Sequence, residues 1–514
     1  MRSIFNKIRK ALEKRVPRVG ECMQDAEKVV IIGLDGLNPN LVYQWKNELP
    51  IMRKLMEEGI HGKIKSTVPP ITTQAWSCVL CGRNPGHFGY WDFTYRNEYC
   101  YGQPDLVSSN IRDSRVDSIY KILSAHDKRV AIINVPVTYP PPEIPNGYCI
   151  SSFMIPNIDK QFTHPASLKG EIKSTIGDYI IDASTSDMNF RQIPEEEVMK
   201  RIYDMDRQRF ELGKYFMKDK KCDFVFIVVM GTDRIHHLFY RYFDEGHKRY
   251  TYHDKYKDVL KDHYKFCDEN MGEIFNLVDQ NTSIIVVSAH SVQRLDGRLN
   301  LNEWLIQEGY MKLKSRPKQL TPLMEADIDW SKTRAWATGF TGQLYLNVKG
   351  REQQGAVDPQ DYDKTLDELI EKIIDITDEK GEKLDTKVYK RKEIHSGEYA
   401  RFGPDLFICF DNSQWSTSEL IGYDSIYSYD TPKGPDDAGH GPYGSFAMMG
   451  PGVPNTGEMS GADLLDIAPT VLHLMSLPIP TDMEGKVLTK KEGVYLEEDR
   501  KEVRERLSKL GYLG

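Results

Sequence analysis

Four runs of the chain are apolar almost throughout: residues 29–33 (VVIIG), 130–135 (VAIINV), 224–230 (FVFIVVM) and 284–288 (IIVVS). Continuous rather than alternating apolar runs of this length predict strands buried on both faces, as in a parallel sheet. Residues 406–410 (LFICF) and 445–449 (SFAMM) extend the series. Helical spacing recurs between them, at 47–58, 115–125 and 464–474. Strands interleaved with helices predict an α/β fold, a largely parallel central sheet flanked by helices. From about 155 to 220, and again from about 300 to 400, the pattern loosens and charge rises. Both stretches read as inserted cap segments, the second with a helix of its own over 362–376.

The two ends have a different texture. Within residues 1–18, Ile4, Phe5, Ile8, Leu12 and Val16 recur near helical spacing, and seven Arg and Lys residues face a single acid, Glu13. Such a basic amphipathic helix suits contact with an anionic membrane surface, or docking on the protein itself. Residues 488–514 read as a charged helix and tail. No apolar run is long enough to span a bilayer, and the start lacks the apolar centre of a signal peptide. The expectation is a cytoplasmic protein, peripheral at the inner membrane surface if the basic helix engages it.

With 514 residues, 40% of them hydrophobic, the chain can build one large core with insertions. A net charge of −8 gives no basic excess for a nucleic-acid groove. Cys78 and Cys81 form the one close thiol pair, with no second pair or neighbouring histidine to complete a metal site, so buried thiols are expected. Oligomeric state is not legible.

Ligands of open α/β sheets bind beyond the carboxyl ends of the strands. Asp35 follows the first apolar run, Asp233 the third, with His236 and His237 behind it, and His290 the fourth. One acid after a strand is usually a turn or helix-capping residue. Three strand ends all bearing Asp or His point to a metal centre. Asp233 and His237 stand four apart, so a helical turn would aim both at one ion and His236 elsewhere. Thr72, in the segment PPITTQAW, follows two prolines and enters a helix. A hydroxyl at that junction is either a helix cap or a nucleophile beside N–H groups that favour an anion.

At these residues the sequence resembles the alkaline-phosphatase superfamily, in its type I phosphodiesterase/nucleotide pyrophosphatase-like branch. The carrying motifs include GLDG at 33–36, PPITTQAWSCVLCGRNPGHFGYWDFT at 69–94, MGTDRIHH at 230–237 and GHGPYGSFAMMGPGV at 439–453. The resemblance implies an alkaline-phosphatase-like catalytic domain over about 27–487. It also implies a phosphate-ester substrate and two divalent ions, zinc first and manganese second by their ligand types. Thr72 matches the nucleophile, and binds metal as an alkoxide. Asp233, His237 and His440 match ligands of the first ion, Asp35 and His290 ligands of the second. His440 does not stand out by spacing.

Two departures qualify what the resemblance implies. Relatives carry Ser-Asp-His-Gly where this chain has Ser288, Ala289, His290 and Ser291. Alanine has no donor atom, so Ala289 marks a lost ligand of the second ion. Retention of every other ligand favours a single inactivating substitution over gradual decay. Nucleotide pyrophosphatases also place an Asn where Phe93 stands beside Asp92, which argues against nucleotide-diester specificity and leaves both as candidate substrate contacts. The expected activity is hydrolysis of a phosphodiester or phosphomonoester through a phosphothreonine, impaired at Ala289. The alternatives are an inactive binding or regulatory protein on the same scaffold, and a phosphoryl transferase or phosphomutase. No sulfatase-type C/S-x-P-x-R motif lies near Thr72.

Overall fold

Strand Lys28–Leu34 (β1) is buried along almost its whole length, as an uninterrupted apolar run requires. It lies at the middle of the central sheet in a computed structural model that describes residues 26–101, 104–109, 117–489 and 506. The other strands of that sheet are Ile60–Lys65 (β2), Val130–Ile133 (β3), Gly147–Ile150 (β4), Thr163–His164 (β5), Phe224–Val229 (β6), Thr282–Val287 (β7) and Tyr443–Met449 (β8). Their order is β2-β8-β7-β1-β6-β3-β4-β5, with the two-residue strands Gly457–Glu458 and Ala462–Asp463 beside β2. The pairs β7-β1, β1-β6, β6-β3 and β3-β4 are parallel, whereas β8 runs antiparallel to both β7 and β2, and β5 antiparallel to β4. The predicted basic helix of residues 1–18 lies outside the described residues, as does nearly all of 488–514.

Side chains alternate across the sheet. Val30, Ile32 and Leu34 of β1 join one core with helices Glu195–Lys218 (α2), Gly231–Phe243 (α3) and Val259–Phe275 (α4). Val29 and Ile31 join the opposite core with helices Thr72–Cys81 (α1) and Ile467–Leu474 (α5). The sheet is therefore sandwiched between two helical layers, each removing one face of the apolar strands from water. Cys78 and Cys81 are buried and unpaired in α1, in keeping with the packing role expected of them.

Two apolar runs lie differently from the expectation. SFAMM belongs to the central sheet as β8, but antiparallel. LFICF, as Leu406–Cys409, lies in a separate antiparallel four-stranded sheet with Ala335–Thr338, Gln343–Leu346 and Lys387–Lys390. Continuous apolarity reports burial on two faces and is silent on strand direction. That second sheet shares a third apolar cluster with helix Tyr362–Ile374. The stretch from 155 to 220 contains the 24-residue α2, whose Val198, Ile202, Phe210 and Phe216 pack on the central core.

The register sets up the site. Leu34 of β1 pairs with Val229 of β6, and Gly33 of β1 with Val287 of β7. Three neighbouring strands thus end level, and the residues that follow them meet at one rim.

Candidate active site

Three acceptor atoms converge beyond β6. Asp233 and His237 project from the first turns of α3, where a spacing of four brings Asp233 Oδ1 to 3.5 Å from His237 Nε2. His440 Nε2 lies 3.3 Å from the same carboxylate oxygen and 3.4 Å from His237 Nε2. His440 arrives on strand Ala438–Gly441, paired antiparallel with Ser291–Arg294 so that His440 faces Val292.

The outer atom of each ligand candidate is held. His237 Nδ1 is 2.6 Å from Asp436 Oδ1, and His440 Nδ1 is 2.8 Å from the Pro70 carbonyl. A carbonyl or carboxylate oxygen can only accept, so each Nδ1 carries hydrogen in the neutral ring and each Nε2 presents a lone pair. Arg234 Nη1 donates to Asp233 Oδ2 at 2.6 Å, and its guanidinium also pairs with Asp182 at 3.1 Å. Asp233 Oδ1 is left buried without a hydrogen-bond donor. With both rings neutral, two nitrogen lone pairs and a carboxylate oxygen that lacks a hydrogen-bond donor face one another, a donor set that a cation would satisfy. The residues present therefore fit a metal ion.

The second group lies alongside. Asp35, directly after β1, places Oδ1 3.5 Å from His290 Nε2, and His290 Nε2 is 3.2 Å from Thr72 Oγ1. Asp35 Oδ1 accepts from the indole of Trp76 at 2.9 Å, while Asp35 Oδ2 is buried without a partner. The rings of His290 and His440 stack with centroids 3.8 Å apart, which joins the two groups into one cluster. Ala289 is fully buried in that cluster's margin and offers only a methyl group. The second group thus has two protein donors plus the Thr72 hydroxyl. It fits a cation less completely than the first.

Thr72 is the first residue of α1, whose leading N–H groups lack partners within the helix and favour an anion in front of them. Gly82 ends that helix at φ +62°, a left-handed closure that glycine adopts without strain.

The charge states follow from burial and neighbours. Burial and the negative charge of Asp233 push the Asp35 carboxyl up to about 7. Burial acts the same way on Asp233, but His237, His440 and Arg234 outweigh it and hold that carboxyl well below its ordinary range. For His237, burial is outweighed by Asp436 and Asp233, which raise it to about 9 in the absence of metal. Burial and the charge of His440 press His290 well below the usual imidazole value.

Asp92 and Phe93 contact α1 and Phe153 respectively. Asp92 is raised to about 7 by burial, and its carbonyl accepts from Thr73 Oγ1 at 2.8 Å. Phe93 meets Phe153 edge-on with centroids 6.0 Å apart. The inserted segment reaches the site through Phe340, whose ring stands edge-on to His440 at 6.2 Å. His236, as its helical position implied, faces away, with Nδ1 2.6 Å from the Thr232 carbonyl. Sequence reasoning missed Asp436, Trp76, Arg234 and Asp182. Asp436 alone left a local trace, an acid four residues before His440 in a glycine-rich loop.

The sequence model of the type I phosphodiesterase/nucleotide pyrophosphatase family matches residues 29–439 of this chain. The chain belongs to that family. Among solved structures, this phosphodiesterase-family chain is similar to the phosphonoacetate hydrolase of Sinorhizobium meliloti 1021 in complex with phosphonoacetate. That match has 12% identity and a TM-score of 0.56, and covers 90% of this chain and 98% of the other. It is also similar to a multiply substituted variant of the alkaline phosphatase PafA, with 12% identity, a TM-score of 0.55, and coverage of 91% and 99% respectively. At such identity the likeness establishes an alkaline-phosphatase-like fold. No curated protein matches the chain in sequence. Family membership and the candidate metal-ligand group, in which Asp233, His290 and His440 bring donor atoms within 4.8 Å of one another, place this member among phosphoryl hydrolases and transferases.

Proposed function

We propose that the chain is a metal-dependent phosphoric ester hydrolase whose nucleophile is Thr72. The observation that carries this reading is the 3.2 Å separation of Thr72 Oγ1 from His290 Nε2, in a cluster where Asp35 Oδ2 and Asp233 Oδ1 are buried without a hydrogen-bond partner. Asp233, His237 and His440 would hold one cation, and Asp35, His290 and Thr72 a second, with zinc our assignment. The chemistry such cations supply when bound is Lewis-acid stabilisation of an ionised hydroxyl and of charge developing on a leaving oxygen.

The residues do the rest. Helix α1 presents Thr72 Oγ1 at its N-terminus, where the leading N–H groups favour the phosphoryl oxygens. Thr72 gives up its proton, Oγ1 bonds to phosphorus, and the ester oxygen departs and takes a proton. Water then cleaves the phosphothreonine and restores the hydroxyl. Asp92, Phe93 and Phe340 are the side chains we assign to contact with the rest of the ester.

Ala289 limits this cycle, because the second cation loses a carboxylate. The expected activity of the chain as it stands is very low. The test is Ala289→Asp assayed with p-nitrophenyl phosphate and bis-p-nitrophenyl phosphate: a gain in turnover supports the reading, and no gain with either ester contradicts it. The buried methyl of Ala289 also favours a second reading, a protein that binds phosphate esters without turning them over. Ligand binding unchanged by Ala289→Asp, with no turnover, would select it.

A further inference from the structure

His236 is adjacent in sequence to a candidate ligand but serves a different contact. Its ring is fully buried. Nδ1 lies 2.6 Å from the Thr232 carbonyl, which can only accept, so Nδ1 carries the hydrogen and Nε2 the lone pair. Nε2 is 3.3 Å from the hydroxyl of buried Tyr264 on α4, which therefore donates to it. The same hydroxyl oxygen accepts from the backbone N–H of Asn38 at 2.9 Å. Asn38 stands three residues beyond Asp35, and its Nδ2 donates at 2.9 Å to the carbonyl of Val292, two residues beyond His290. Every hydrogen in this chain of bonds has one consistent direction.

The chain joins the segments that leave β1, β6 and β7. The segments after β1 and β7 are already tied to each other, since Leu37 N–H donates to Ser288 Oγ at 2.9 Å. They carry Asp35 and His290 as one unit. Helix α3 carries Asp233 and His237 as another. Gly36, at φ +77°, passes so close that a Cβ there would sit 2.9 Å from Asp233 Cα. Contact between the units is therefore intimate at that point, and the Tyr264 hydroxyl bridges them, accepting from the Asn38 backbone N–H and donating to the His236 ring.

We propose that Tyr264 and His236 are positioning residues that fix the spacing between the two halves of the active site, the Asp35–His290 half and the Asp233–His237 half. This rests on the two-cation reading above. A hydroxyl that merely satisfies a buried amide would, when removed, loosen the fold without preference for either half. A spacer between halves acts on the ion that needs both, the first, whose ligands Asp233 and His237 come from α3 and whose ligand His440 comes from the strand paired with Ser291–Arg294 beyond β7.

The experiment is a zinc titration against a chromophoric chelator on Ala289→Asp and on Ala289→Asp combined with Tyr264→Phe, with the melting temperature of each metal-free protein as the check on folding. The expected result is a first-ion affinity lowered about ten-fold or more and a second-ion affinity changed less than about three-fold, in the range that lost outer contacts produce. His236→Gln in place of Tyr264→Phe breaks the link from the helix side and should give the same asymmetry if the tyrosine variant fails to fold. Equal losses at both ions, none at either, or a loss confined to the second ion overturn the positioning role while leaving the two-cation reading intact. If Ala289→Asp itself takes up no second ion, the two-cation reading falls and this inference with it.

Discussion

The indole N–H of Trp76 donates to Asp35 Oδ1 at 2.9 Å, fastening the candidate metal ligand at the end of β1 to the helix that presents the candidate nucleophile. Trp76 lies one helical turn after Thr72, and its ring packs so tightly over β1 that a Cβ on Gly33 would approach its Cη2 within 2.5 Å. The bond therefore sets Asp35 against Thr72 through a rigid, fully buried side chain. Trp76→Phe keeps most of the ring and leaves both oxygens of Asp35 without a donor. The expected cost is about 1–3 kcal/mol of stability, read as a lower melting temperature of the metal-free protein, together with weaker binding of the second ion. An unchanged melting temperature and an unchanged zinc titration would contradict this role.

Ala289→Asp should raise phosphoesterase turnover by about ten-fold or more, a modest claim against the 2–4 kcal/mol commonly lost with one group that stabilises transition-state charge. The gain should also depend on added zinc. Dialysis against a chelator should abolish it and re-addition of zinc restore it. Turnover that survives chelation would point to chemistry without a metal.

Asp436 holds His237 Nδ1 at 2.6 Å and also accepts from Arg191 Nη2 at 2.6 Å. Asp436→Asn removes the charge that fixes this tautomer. Affinity for the first ion should drop about 10–100-fold, as for other outer partners of metal-bound histidines. Isothermal titration with zinc at neutral pH reads this directly, and an affinity within error of the parent protein would exclude it.

A buried cluster beneath α3, formed by Asp206, His263 and Cys267, gives a pH dependence apart from that of the candidate active site. Asp206 accepts from Gly231 N–H at 3.1 Å at the start of α3, and its other oxygen lies 2.9 Å from His263 Nε2. Burial opposes a charge on His263, but the Cys267 sulfur and the Asp206 carboxylate outweigh it and raise the imidazole from 6.5 to about 10. A folded pKa above the unfolded one stabilises fully below the unfolded value and fades as pH rises through the folded one. Stability from this pair should therefore be complete below about pH 6.5 and lost as pH rises toward about 10. Urea unfolding of metal-free protein from pH 6 to 10 should show the decline, and His263→Gln should flatten it. A parent and variant with parallel pH profiles would refute the assignment.

Much of the site could be read from the chain because its positions are local consequences of strand ends. Asp35, Asp233 and His290 each follow an apolar run, and the level register of β7, β1 and β6 brings them to one rim. Asp233 and His237 converge because four residues make a helical turn. His440 had no such signal. Its place depends on the pairing of Ala438–Gly441 with Ser291–Arg294, a contact between segments far apart in sequence. Trp76, Asp436, Asp206 and Tyr264 stayed hidden for the same reason, since each acts through a partner in another element. Strand β2 was missed because its burial alternates along IHGKIK, so no continuous apolar run marks it. LFICF was misplaced because two-sided burial occurs as readily in the inserted sheet as in the central one.

The most direct measurement is acid quenching of Ala289→Asp during turnover of bis-p-nitrophenyl phosphate, followed by peptide mass spectrometry. The expected result is a single phosphoryl group on the peptide containing Thr72, absent from a companion protein that also carries Thr72→Ala and no longer turns over. Turnover that persists after Thr72→Ala, or a phosphoryl group on any other residue, would contradict the assignment of Thr72 as nucleophile.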